Sequence, residues 1–264
     1  MTTVATSNAD TALAALFAAS KERREVESLA DTWPDLDERT AYAIQKRLVA
    51  RHVEDEGTRV VGLKLGLTSV AKQKQMSVDQ PIYGELLGSR MIGEGEPLAI
   101  GSLIHPKAEP EIAIVTGRDL RGPGVTADEA RAAIAAAFVA MEIIDSRYKN
   151  FRFTFTDVIA DNTSAARYTM STYRVPAKDL DLRTLGVVFE KNGEVVSTAA
   201  GAAILGDPAA GVAWLANKLA ETGGAIPAGT LIMTGALTDA IAIAPGDVVR
   251  TSVAQLGSLT LRCL

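Results

Sequence analysis

The chain has 264 residues, with 27 Lys and Arg against 32 Asp and Glu for a formal net charge of −5, and it carries only two histidines and one cysteine. At 47% hydrophobic and 22% charged residues its composition is that of a globular protein and excludes disorder as the dominant state. Cys263 alone cannot form an internal disulfide, and with His52 and His105 it cannot supply a four-ligand Cys/His zinc site, so any bound metal must use oxygen ligands. The chain has no cluster of Lys and Arg of the kind that binds a nucleic-acid backbone, which leaves small-molecule chemistry as the expectation.

In chain order, residues 1–55 read as helical. Leu13, Leu16 and Phe17, then Ala41, Ile44 and Leu48, recur at three- and four-residue steps, with Asp10 and Asp37 where N-caps would stand and a turn-rich DTWPDLDERT between them. The basic residues of the first segment follow its apolar run, the reverse of a secretory signal, and the longest apolar stretch, residues 132–141, is far short of the ~20 residues that span a bilayer. The expectation is a cytoplasmic protein with no membrane partner. From Val60 the pattern changes to short aliphatic runs cut by Gly and Pro: VVGLKLGL, PEIAIV, LGVVFE, TLIMTG, VVRTSV and SLTLRC, all read as strands. Helices are predicted over residues 127 to about 139 and 208–221, the second opened by Asp207-Pro208 and closed by Gly223-Gly224. The Asn-Gly pair in KNGEV predicts a tight hairpin. These elements predict an α+β protein, with residues 1–55 packed as a helical cap on one β-rich domain over 56–264.

No G-x-S-x-G elbow, phosphate-binding loop or dinucleotide fingerprint occurs. The chemistry must lie in carboxylates. In HPKAEPEIAIVTG, Glu109 and Glu111 project from one face of a predicted strand and Ile112 and Ile114 alternate around them, while Pro106 and Pro110 point to an edge or irregular strand. A bare E-x-E is ordinarily a solvated strand face. A third acid, Glu142, lies inside the apolar VAMEIID, where it must either face solvent or be held by a partner, because an unpaired buried carboxylate costs several kcal/mol. If the three converge they would bind a hard cation such as Mg²⁺ or Mn²⁺. In VVGLKLGLTS, Lys64 stands between Gly62 and Gly66 on one strand face, either as an exposed lysine or with the glycines clearing space for a ligand. Asp145, Ser146, Arg147, Asp157, Asp161, Asn162, Thr163 and Ser164 crowd into about twenty residues as turn and cap residues or, together, as a polar pocket wall.

Taken as an ordered series, VGLKLGLTS, QPIYG, LIHPKAEPEIAIVTG, the run from Glu142 to Arg147, VIADNTSAARY and TLIMTGALT resemble the hydratase/decarboxylase branch of the fumarylacetoacetate hydrolase superfamily. The resemblance covers about residues 35–262, and SRYKNF, DLRTLGVVFEKNGEVV and MTGALT favour its decarboxylase side. It implies a mixed β-roll or distorted barrel, and Mg²⁺ or Mn²⁺ held by Glu109, Glu111 and Glu142. It also implies Lys64, Asp161 and Ser164 as catalytic residues, with Leu87, Arg147, Asn162, Thr234 and Gly235 around the substrate. Pro110 departs from the family's small residue at that place. The implied reaction of the meta-cleavage pathway for catechols is loss of CO2 from 2-oxo-3-hexenedioate, a six-carbon oxo-diacid, to give 2-hydroxypenta-2,4-dienoate. Tyr148, Phe151 or Leu87 would hold the departing carboxylate in a poorly solvated pocket. The implied partners are a 2-oxopent-4-enoate hydratase and further copies of the chain. The alternatives are that hydratase activity itself, a non-catalytic partner subunit, or a hydrolase of acylpyruvates using His52 or His105, of which His105 otherwise reads as a turn residue before Pro106.

Overall fold

The structure is a computed structural model describing residues 2–264. Helices α1 (Thr2–Glu22) and α3 (Glu38–Glu56) pack on each other, with the short α2 (Leu29–Thr32) in the turn-rich connection. Asp37 caps α3 as expected, its side chain accepting from Thr40 N at 2.7 Å, and Gly57 ends it in the left-handed conformation at φ 59°. Asp10 is not a cap. It lies within α1 and pairs with Arg47 at 2.6 Å, because the helix begins well before the first apolar repeat. The inward faces of these helices, including Leu13, Leu16, Ile44 and Leu48, share one buried cluster with Ile82, Tyr148, Val158 and Ile159 of the body. No helix among the described residues is long and apolar enough to cross a membrane.

The body is built on a nine-stranded mixed sheet. Its main path runs β2 (Ile82–Leu87), β1 (Val60–Gly66), β10 (Leu231–Met233), β4 (Lys107–Thr116), β5 (Ile134–Ile144), β6 (Ala165–Met170) and β3 (Met91–Ile92). Two short strands complete it, β7 (Val175–Pro176) on β5 and β11 (Ile241–Ala242) on β4. The β1–β10 and β3–β6 pairs are parallel and the others antiparallel. A second, antiparallel sheet has the order β13 (Gly257–Arg262), β12 (Val248–Val253), β8 (Gly186–Lys191), β9 (Glu194–Ala200). Asn192 and Gly193, both at positive φ, turn the β8–β9 hairpin as the Asn-Gly pair predicted. This is the mixed β-roll with an N-terminal helical cap that the sequence led us to expect. One face of the large sheet, with Ile112, Ile114, Val139, Met141 and Ile143, joins Val187, Phe189, Val249 and Leu259 of the small sheet in the main core. Helix α6 (Pro208–Ala220), capped by Asp207 onto Ala209 N at 2.9 Å, adds Val212, Leu215 and Ala216 to it.

Two expectations are corrected here. The helix predicted to about residue 139 ends at Ala133 as α5 (Ala127–Ala133), and residues 134–144 are the strand β5. That strand is paired along its whole length with β4 and buried on both faces, so its apolar run lacks the alternation that separates a strand from a buried helix. Nor is β4 an edge strand, for it lies between β5 and β10. Pro110 is tolerated because its backbone faces away from β5, into the gap between β10 and β11, where its carbonyl accepts from Leu237 N at 3.0 Å. A donor missing on that side removes no rung from the β4–β5 ladder.

Gly62 sits opposite Leu231 where β1 and β10 pair in parallel, and a Cβ there would lie 2.6 Å from Leu231 O. The Gly62→Ala variant is therefore expected to lose about 1–3 kcal/mol of stability through overpacking, read as a lowered melting temperature. An unchanged melting temperature would contradict the close approach of the two strands.

Candidate metal and substrate site

The antiparallel register of β4 and β5 sets Glu109 directly opposite Glu142 and Glu111 opposite Ala140. Residues paired across strands share a face, so all three carboxylates meet on the side away from the main core. Each offers an oxygen, and these atoms lie within 4.8 Å of one another. All three residues are buried. At that spacing, with an effective dielectric near 20, each pair of ionised carboxylates repels by on the order of 3 kcal/mol. Burial, then the charge of Glu142, pushes the Glu111 carboxyl well above its usual value. Burial likewise raises Glu142, to about 7, although the Lys64 ammonium pulls the other way.

The surroundings supply part of the missing positive charge. Lys64, 2% exposed, projects from β1 with Nζ 3.1 Å from Glu142 Oε2 and donates to Thr163 O at 2.9 Å. Lys72, on the short helix α4 (Val70–Gln75), donates to Glu109 Oε1 at 3.1 Å. Burial alone would lower the Lys72 ammonium, but the Glu109 carboxylate outweighs it and leaves it raised. Gly235 N donates to Glu111 Oε2 at 2.8 Å. Three acids against two lysines leave one negative charge. Glu111 Oε1 and Glu142 Oε1 have no hydrogen-bond partner and Glu142 Oε2 faces only the Lys64 ammonium, so the cluster holds buried acceptors with too few internal donors. That donor set, all oxygen and poor in internal partners, fits a hard divalent cation.

A cavity of about 920 Å³ opens beside the cluster, and Lys64, Lys72, Glu109 and Ser164 reach its wall. Ser164 closes a turn in which Asn162, Thr163 and Ser164 all take positive φ, at 49°, 55° and 56°. For non-glycine residues, and for β-branched Thr163 above all, this is backbone strain of about 1–3 kcal/mol each. The surroundings fix it from several sides. Asn162 bridges Glu85 N and O at 2.8 and 2.9 Å, Thr163 Oγ1 donates to Tyr83 O at 2.9 Å, and Lys64 holds Thr163 O. Ser164 Oγ, buried, is left without a hydrogen-bond partner at the cavity wall.

The other predicted residues stand behind the wall. Arg147 clamps Asp161 with Nε on the carboxylate and Nη2 on the main-chain carbonyl, both buried. Burial pushes the Asp161 carboxyl up to about 6 against the pull of that guanidinium. Neither residue lines the cavity, and Asn162 is spent on Glu85. Thr234 donates to Ile112 O at 2.8 Å, and Gly235 acts through Glu111; its φ of 107° and the Thr68 Oγ1 atom 2.2 Å from a Cβ position leave room for glycine only. Leu87 is buried on β2 outside the cavity lining, its carbonyl accepting from Tyr168 at 3.2 Å. Tyr148 is buried away from the cavity with its hydroxyl on Asp157 O, whereas Phe151 does line it, with Lys107 Nζ 4.0 Å from its ring centroid. Gly62 and Gly66 make room for Leu231 and the Thr163 methyl, so chain packing and not a ligand explains most of the space beside Lys64. His105 is not a simple turn residue, since its ring bonds Ser146 O and pairs with Glu25. Sequence reasoning missed Lys72, Lys107, Thr68 and Asp239. Only Lys107 left a signal, standing two residues before Glu109 on the same strand face.

Residues 59–263 match the family described as fumarylacetoacetate (FAA) hydrolase C-terminal. The chain belongs to the fumarylacetoacetate hydrolase family. It is 46% identical over 244 residues to a 4-oxalocrotonate decarboxylase of Pseudomonas putida, covering 92% of each chain. It is 38% identical over 244 residues to a 2-keto-4-pentenoate hydratase of Paraburkholderia xenovorans, covering 92% of this chain and 90% of that one. The solved 4-oxalocrotonate decarboxylase from Pseudomonas putida G7, complexed with magnesium and adipate, superposes at a TM-score of 0.92, with 43% identity over 97% of this chain and 98% of the other. The chain is thus an enzyme of the decarboxylase/hydratase branch of this family.

The raised carboxylates predict a stability dependence with a definite sign. Unfolded, Glu111 titrates near ~4.3. Because its folded value is raised, the stability it leaves intact at low pH is lost as pH rises from there through the folded value. In chelator-treated protein, Glu111→Gln is expected to melt several degrees above the unaltered chain at pH 8, with the gap closing toward pH 4.5. A gap independent of pH would refute the electrostatic account.

Proposed function

We propose that this protein is a divalent-metal-dependent decarboxylase of 2-oxo-3-hexenedioate, releasing CO2 and 2-hydroxypenta-2,4-dienoate. The observation that carries this reading is the buried convergence of Glu109, Glu111 and Glu142 beside Lys64, on a chain nearly half identical to 4-oxalocrotonate decarboxylases. The three carboxylates would hold Mg²⁺ or Mn²⁺. When bound, the ion supplies Lewis acidity toward the C1 carboxylate and 2-oxo oxygen of the substrate.

The distal carboxylate belongs to a vinylogous β-keto acid. As the C5–C6 bond breaks, its electron pair moves through the C3–C4 double bond toward the 2-oxo oxygen, which gains negative charge. The Lys64 ammonium, buried and fixed by Thr163 O, is a preorganised positive charge for that oxygen. The unpartnered Ser164 hydroxyl offers a donor on the same wall. Asp161, Arg147 and Asn162 position the turn that carries Ser164, and Gly235 orients Glu111. Phe151 and neighbouring Lys107 also line the cavity, and the Lys107 ammonium offers a counter-charge for the second carboxylate of a six-carbon substrate. No covalent intermediate is needed.

With Mg²⁺ and the six-carbon oxo-diacid, the protein is expected to evolve CO2. Glu109→Gln and Glu142→Gln should each lower kcat/KM at least about a hundredfold, and Lys64→Met by a similar factor. Hydration of 2-hydroxypenta-2,4-dienoate without CO2 release would instead make the protein a hydratase, the reading favoured by its 38% identity to that enzyme. Turnover of neither compound would leave a partner subunit. The reading includes association with a 2-oxopent-4-enoate hydratase, which consumes the product, and with further copies of this chain. Co-elution with the hydratase on size exclusion, at a mass above the sum of single chains, is the expected result; independent elution would remove that part.

A further inference from the structure

A second cavity, of about 450 Å³, lies between the end of α1, the 88–90 turn, the 102–104 turn and β6. Its wall is unusually basic for an acidic chain. Most of those charges are already matched. Lys21 pairs with Asp55 at 2.7 Å, Arg90 with Glu56 at 2.8 Å, and Arg147 with Asp161. The one acid left over, Asp145, accepts from the backbone N–H groups of Ile104 and His105 at 2.9 and 2.8 Å and keeps its charge. Arg23, which is exposed, donates to Gly101 O without an ion pair, and Arg167 is the exception within the wall. Its guanidinium is partly buried, forms no ion pair with any carboxylate among the described residues, and donates only to the adjacent Ala166 carbonyl at 2.8 Å. Burial, then the charge of Arg90, holds it below the ordinary arginine value. The Glu56 and Asp145 carboxylates offset this only in part, so a cavity lined by five basic side chains against two acids keeps positive charge that an anion would complete. Two guanidinium forks offer the planar, multiple donors that bind oxyanions best, and the hydroxyls of Ser20 and Ser102 stand in the same wall.

We propose that this cavity binds a small oxyanion, a carboxylate or a phosphate group, with Arg167 as its principal counter-charge and Arg90 beside it. The site is separate from the acid cluster and does not depend on the reaction proposed above. It adjoins the wall of the first cavity through Arg147, which lines this cavity and clamps Asp161 from behind, and through Asp145, whose N–H donates to Ser164 O at 2.9 Å.

The test follows thermal unfolding of the Mg²⁺-loaded full chain during titration with inorganic phosphate, and separately with acetate, at ionic strength held constant by chloride. A saturable rise in melting temperature with either anion is expected, the arm with the lower midpoint identifying the preferred source. Arg167→Gln should weaken that midpoint at least tenfold. Because the substitution also removes an unmatched charge, it should leave the anion-free melting temperature equal or higher. The proposal is overturned if neither anion gives saturable stabilisation, or if the variant responds as the unaltered chain does. It is equally overturned if the variant melts well below it without anion, which would make Arg167 a structural residue.

Discussion

Three carboxylates forced to within 4.8 Å of one another in a buried site are the constraint around which the rest of the molecule is arranged. The β4–β5 register imposes it by setting Glu109 opposite Glu142, a like-charge cross-strand pair that opposes pairing wherever both are ionised. A ladder of ten residue pairs between those strands, with a continuous apolar face beneath, outweighs that repulsion and keeps the acids in place. What a stable fold would avoid, a cation site requires. Lys64, Lys72 and Gly235 N reduce the repulsion without cancelling it, and a divalent ion bound there would remove the rest.

The same logic governs the turn at residues 162–164. Three consecutive non-glycine residues in the left-handed region store several kcal/mol of strain by ordinary estimates, retained because β2, Lys64 and the Arg147–Asp161 pair determine it from every side. The result is a serine hydroxyl delivered to the cavity with no internal partner. Residues that a motif alone groups together thus divide by task. Lys64, Ser164 and Glu109 line the cavity with Glu111 and Glu142 beside them, whereas Arg147, Asp161, Asn162, Thr234 and Gly235 support them from behind.

Much of this was legible beforehand, for identifiable reasons. The two-residue spacing of Glu109 and Glu111 and a lone acid in an apolar run each violate an ordinary pattern, and the acid cluster lies where those patterns break, whereas the glycines flanking Lys64 serve chain packing. The failures share another cause. Residues 134–139 read as helix because a strand buried on both faces carries no period of two. Pro110 read as an edge signal because only the partner strands decide which way a residue's missing N–H points. Lys72 gave no signal at all, since its contact with Glu109 joins a short helix to a distant strand.

By itself the sequence determined the ligand chemistry. With so few imidazoles and thiols, only oxygen donors remained for a metal, and the alternation of side chains along a strand set two of them on one face. Convergence was decided by the tertiary structure. Whether Glu142 faced solvent or the other acids depended on a register between strands, and local spacing carries no information about that register. The same holds for the separation of cavity-lining residues from those behind them, because a side chain's place here follows from what lies across the sheet from it and not from its neighbours in the chain.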